Sequence, residues 1–199
     1  MSGQGTATER AAQSRPWGGQ EDLRLFALIR ARDLQAFEEL YRIYHPRLTR
    51  FLFNLVHRPM IVEEVLNDTL MVVWERADSF NGASKLSTWI FAIAYRKAMK
   101  ALRRQDEAVE DRHIDERVSL DASPDEEFGQ RKIQALLTNA ISGLSPDHRA
   151  VLNLTYFHEL GYREIAEIMD CPVDTVKTRM FHARRHLKRR LAGELADWL

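Results

Sequence analysis

The sequence predicts an all-α fold: two small helical domains joined by a flexible acidic linker, the C-terminal one containing a helix-turn-helix. Three observations lead there. Apolar residues recur at steps of three and four along most of the chain, without strand-like alternation of useful length or a repeat of fixed period. Between residues 106 and 127, ten carboxylates face only Arg112 and Arg117, and Ser123-Pro124 adds a breaker. From Tyr162 to Leu191, two apolar-periodic segments flank Asp170-Cys171-Pro172, too short for anything but a tight turn.

A chain of 199 residues is long enough for one ordinary domain or two small ones, and 45% hydrophobic content lets each part bury a core. The 29 Lys and Arg balance 29 Asp and Glu, so the net charge of zero gives no global argument for a nucleic-acid partner. What matters is where the charges lie, and they are strongly segregated. Cys171 is the only cysteine, which excludes an intrachain disulfide. No apolar run approaches bilayer-spanning length, and residues 1–20 lack the apolar block of a signal peptide. The expectation is a soluble cytoplasmic protein with no membrane insertion.

Residues 1–20, rich in Gly, Ser, Gln and Ala, read as a disordered tail, and the first domain as 21–105. Leu23, Phe26 and Ile29 make a short first helix, and Asp33 caps the next. Phe37, Leu40, Tyr41 and Tyr44 line that second helix as far as Pro46, which fits the first turn of a continuation but not a straight helix interior. Leu48, Phe51, Leu52, Leu55 and Val56 carry the apolar face onward to the break at Arg58-Pro59. Val62, Val65, Leu66, Leu70, Val73 and Trp74 begin another helix. Its outer side shows Glu63, Glu64, Asn67, Asp68 and Glu75, a ridge that simple solubility also explains.

A loop at 78–84 leads into Lys85 to Gln105. The charges there, Lys85, Arg96, Lys97, Lys100, Arg103 and Arg104, are all positive. Entered through Ser87, Thr88 and Trp89 and carrying Tyr95, this helix has what unpaired nucleic acid needs: cations for the backbone and aromatic faces for bases. The competing reading puts Trp89 and Tyr95 in the core, the commoner place for large aromatics on a helix.

The second domain reads as 128–199, four helices. Phe128, Ile133, Leu136, Leu137, Ala140 and Ile141 form the first, which stops near Gly143. Ser145 caps the next with Pro146 at its first position, and Gly161 closes it. In the last helix Val176, Met180, Ala183, Leu187 and Leu191 point inward. The opposite side presents Asp174, Thr178, Phe181, His182 and Arg185, flanked by Thr175, Lys177 and Arg179. A short, polar, basic face of this kind suits insertion in a major groove. Arg184, Arg185, Lys188, Arg189 and Arg190 add charge for backbone phosphates, so affinity should fall with salt.

His182 and His186 are four apart, a spacing two metal ligands can use, but no further acid or thiol stands at ligand spacing and the neighbours are basic. The linker carboxylates lie in a segment too flexible to preorganise an acid-base pair. The reading is therefore no catalysis, no metal and no cofactor.

Taken in order, several stretches resemble the extracytoplasmic-function sigma factors, the small promoter-recognition subunits of bacterial RNA polymerase. AFEELYRIYHPRL opens the match; VEEVLNDTLMVVWERADSF is similar to the family's polymerase-binding helix. SKLSTWIFAIAYRKAMKALRR is similar to its minus-ten helix, and GLSPDHRAVLNLTYFHELGYREIAEIMDCPVDTVKTRMFHARRHLKRRL to its minus-thirty-five domain. The resemblance implies that Glu64, Asn67 and Asp68 dock on the RNA polymerase core. It implies that Lys85, Ser87, Thr88, Trp89, Tyr95, Arg96, Lys97, Lys100, Arg103 and Arg104 hold the opened minus-ten element. By the same resemblance Asp174, Thr175, Lys177, Thr178, Arg179, His182 and Arg185 read the minus-thirty-five element, and an anti-sigma factor is a further partner beside promoter DNA.

Asn67-Asp68 stands where the family usually has Gln followed by Glu or Asp. Tyr95-Arg96 replaces Arg-Asn, Lys100 stands in place of a common Asp, and Asp174 replaces a frequent Gly. A different class, a dimeric helix-turn-helix regulator, predicts tight binding to a palindromic duplex without polymerase and has no use for a single-strand platform.

Overall fold

The computed structural model describes residues 20–110 and 136–196, all of whose regular elements are helical. The expected tail at 1–19 and the linker residues 111–127 lie outside the described residues. α1 spans Gln20–Arg30 and buries Phe26 and Ile29. The Phe26 ring meets Phe80 at 5.3 Å and Trp89 at 5.6 Å between centroids, so three aromatic residues distant in sequence share one contact.

α2, Leu34–Val56, starts where Asp33 accepts hydrogen bonds from the backbone N–H of Gln35 at 2.8 Å and Ala36 at 3.2 Å. It runs unbroken through Pro46 and buries Leu40, Tyr44, Leu48, Phe51, Leu52 and Leu55. The sequence reading made Pro46 the start of a continuation; the packed face on both sides of it outweighs the lost hydrogen bond and holds one helix. His57, left-handed at φ 57°, ends α2, and Pro59 occupies the first turn of α3, Pro59–Glu75. A short 3₁₀ turn, Ala77–Ser79, and a loop with Gly82 at φ +74° lead to α4, Leu86–Glu110. Residues 106–110, expected to open the linker, continue α4. Acidic residues, Gln and Ala are adequate helix formers, and extending an existing helix needs no new nucleus.

Residues 136–142 form α5, and α6, Pro146–Tyr156, opens with Ser145 Oγ accepting from the His148 N–H at 3.4 Å. α6 ends at Tyr156, short of Gly161. That glycine instead precedes α7, Tyr162–Met169, and its N–H donates to Glu164 Oε2 at 3.0 Å. Asp170, left-handed at φ 50°, and the Cys171 N–H on the Ala166 carbonyl at 3.0 Å make the expected tight turn into α8, Val173–Ala196.

The two helical units pack on each other, α4 against α7 and α2 against α6, and their buried residues merge into one apolar cluster. His158, in the loop after α6, sits in this seam with its ring 4.8 Å from that of Phe91 and 6.0 Å from that of Phe51.

Candidate nucleic-acid interface

α8 is anchored by Val176, Met180 and Ala183, all buried, at the spacing the sequence predicts. Its outward row of Asp174, Lys177, Thr178, His182 and Arg185 is exposed, while Thr175 and Arg179 are half-buried. The Lys177 ammonium lies 2.9 Å from the Asp174 carboxylate and holds its pKa below the ordinary value, so an anion stands at the helix N-terminus. Thr178 Oγ1 donates to the Asp174 carbonyl at 2.9 Å, which leaves that hydroxyl as an acceptor. Arg184 donates to the Tyr156 hydroxyl through Nε at 3.0 Å and Nη2 at 2.7 Å and lies over its ring. Arg179 turns away from this row, its Nη2 2.5 Å from Asp147 Oδ2 on α6.

Lys85, just before α4, and Arg96, Lys100, Arg103 and Arg104 on it are exposed, and Lys97 is half-buried with its Nζ 2.9 Å from Asp68. The uncharged residues grouped with them lie elsewhere. Ser87, Thr88 and Tyr95 are 0%, 2% and 6% exposed, Tyr95 against Asp147 of the second unit, and Trp89 packs with Phe26 and Phe80. In this arrangement Tyr95 is a core residue, buried where α6 of the second unit reaches α4, and Trp89 packs against the core of its own unit with part of its ring exposed. Burial, reinforced by the hydrogen bond its hydroxyl gives Asp147 Oδ1 at 2.7 Å, raises the phenol pKa of Tyr95 above its ordinary value.

Glu64, Asn67 and Asp68 form an exposed ridge on α3, opposite buried Val62, Val65 and Leu66. Met60 and Met71 stand exposed at its ends, 86% and 55%. Sequence reasoning missed the two methionines as part of this face, and missed Asp147 and His158 altogether. The methionines were legible, since helical spacing puts Met60 and Met71 in line with Glu64 and Asn67.

Two family models divide the chain along the same seam: Sigma-70 region 2 matches residues 40–108, and Sigma-70, region 4 matches residues 134–187. The ECF RNA polymerase sigma-E factor of Escherichia coli is 30% identical over 133 residues, 62% of this chain and 70% of that protein. The chain belongs to the ECF RNA polymerase sigma factors. Its similarity to the RNA polymerase sigma-H factor of Pseudomonas aeruginosa, 28% identical, extends over 89% of this sigma factor and 97% of that one. Among solved structures, the sigma factor RpoE in complex with the anti-sigma factor NepR from Bartonella quintana superposes with a TM-score of 0.66 at 28% identity. It covers 78% of this chain and 96% of that one.

The region 2 match runs from within α2 to near the end of α4, and the region 4 match takes in α5 to α7 and the first part of α8. Among the described residues no group of His, Cys, Asp and Glu is suited to hold a metal ion, and no helix is long and apolar enough to cross a membrane.

Proposed function

We propose that this alternative sigma factor directs the RNA polymerase core to its promoters through three surfaces built on rigid helices, and that it adds no catalytic group of its own. The exposed row of Asp174, Thr175, Lys177, Thr178, His182 and Arg185 on a well-anchored α8 supports this best, together with Arg179 once that side chain is turned outward. Such a row reads base edges and phosphates of duplex DNA as the minus-thirty-five element. Lys85, Arg96, Lys97, Lys100, Arg103 and Arg104 grip the backbone of the opened minus-ten element, with Ser87, Thr88 and Tyr95 meeting its bases once uncovered and Trp89 through the exposed part of its ring. Glu64, Asn67 and Asp68 dock on the polymerase core, and the flanking Met60 and Met71 supply apolar area there.

The functional units are residues 21–105 and 128–199, with 106–127 as a tether between them and 1–20 as a tail. The protein works in the cytoplasm, where its polymerase and DNA are, and an anti-sigma factor keeps it in check, as NepR accompanies the related RpoE. Run-off transcription with purified core polymerase over a genomic promoter library tests this reading. Promoter-dependent transcripts that disappear with Lys100→Glu and Arg103→Glu support it, and the absence of any transcript counts against it.

A further inference from the structure

The three surfaces are not equally available in the folded chain, and one carboxylate stands where two of them meet. Asp147 lies on the first turn of α6. Its Oδ1 accepts from the Tyr95 hydroxyl at 2.7 Å and its Oδ2 lies 2.5 Å from Arg179 Nη2, so it touches α4 of one unit and α8 of the other. The side chains of Asp147 and Arg179 are only 29% and 24% exposed, which shields the pair from salt. Further towards the start of α4, Lys85 Nζ reaches Glu164 Oε1 at 2.8 Å, a second cross-unit contact made by a cation of the proposed minus-ten surface. His158 fills the seam between Phe51 and Phe91.

We propose that Asp147 is a clasp that holds this sigma factor in a closed arrangement unable to read DNA, by tying a residue of each DNA-reading surface to one point. The proposal rests on the surface assignments made above. In the closed arrangement Arg179 is drawn off the α8 row and Tyr95 is held under α6, with Ser87 and Thr88 buried further along α4. The hydroxyls of Ser87 and Thr88 are buried with no hydrogen-bond partner among the described residues, so this packing carries a cost that single-stranded DNA, which offers acceptors, would relieve on exposure. That makes the arrangement one of two competing states. Free chain then binds DNA with its intrinsic affinity reduced by the fraction of molecules that are open, and any partner that binds only the open form draws the population over.

The test uses the full chain carrying Cys171→Ser, with nitroxide labels on Glu38→Cys and Arg163→Cys, both exposed and outside the three surfaces. Electron paramagnetic resonance should give one narrow distance population in the otherwise unaltered chain. Asp147→Asn and Tyr95→Phe should each add a longer one. Tyr95→Phe changes no charge, so a longer distance there is not an electrostatic side effect. Asp147→Asn should also bind a forked oligonucleotide several-fold more tightly, by fluorescence anisotropy, while still supporting transcription with core polymerase. An unchanged narrow distance in both variants, or a broad distribution in the unaltered chain, overturns the clasp. If transcripts are made all the same, the functional reading stands without it; if distances lengthen but no promoter yields a transcript, the functional reading fails and the clasp stands as a structural device.

Discussion

His158 is held as a neutral imidazole by its surroundings. Burial in the seam, with Arg47 and Arg50 of α2 nearby, pushes its pKa down from 6.5 to about 4. The unpacked chain takes up this proton more readily than the packed one. Stability from this site is therefore fully present above about pH 6.5 and is lost as pH falls towards 4. Urea unfolding should show about 2 kcal/mol less stability at pH 5 than at pH 7 from this group, at 1.36 kcal/mol per pKa unit. His158→Phe, which keeps an aromatic ring between Phe51 and Phe91, should flatten that part of the pH dependence; an unchanged slope would place its source elsewhere. At Asp33 two backbone N–H groups depend on one carboxylate, and Asp33→Ala should lower the unfolding free energy by about 1 kcal/mol. Asp147 was illegible as a functional residue because nothing in local sequence distinguishes it from any acidic residue in the first turn of a helix. Its partners lie 52 and 32 positions away in numbering and meet it only through the packing of α4 and α8.

The helices themselves were largely legible. α8 and the turn before it follow from Val176, Met180 and Ala183 at helical spacing after Asp170-Cys171-Pro172, and Ser145-Pro146 marks the start of α6. Gly161 misled because glycine serves at either end of a helix; the Glu164 carboxylate, three residues on, decides for the start of α7. Ser87, Thr88 and Tyr95 misled for a different reason. Periodicity shows which face of α4 is apolar, but which distant element will cover a neighbouring face is a tertiary fact. Two predictions belong to α8 as an element. Val176→Asp puts a carboxylate into a fully buried position and should unfold the helix-turn-helix, read as loss of cooperative melting by circular dichroism. Arg185→Ala, at an exposed position, leaves the fold unchanged and removes a cation from the proposed DNA-reading row. It should reduce the slope of log affinity against log salt by about one for duplex binding. An unchanged slope would mean that Arg185 faces solvent in the complex.

For the molecule as a whole, the zero net charge conceals two cationic helices separated in sequence by an anionic stretch. That pattern was fully legible, and with the ordered motifs it carried both the fold class and the family. The close packing of the two units was not, since the apolar stripes of each read as complete within that unit and nothing in either sequence announces the seam. A protein whose proposed DNA-contacting groups are partly paired internally should bind promoters weakly alone and strongly once a large host holds both units at a fixed spacing. Permanganate footprinting of a responsive promoter tests this most directly, with the chain alone, core polymerase alone, and the two together. Unpaired thymines around the minus-ten element should appear only when both are present, and should be lost with Lys100→Glu and Arg103→Glu. Tight, polymerase-independent binding of the chain to a palindromic duplex, with no strand opening in the combined sample, would contradict the account.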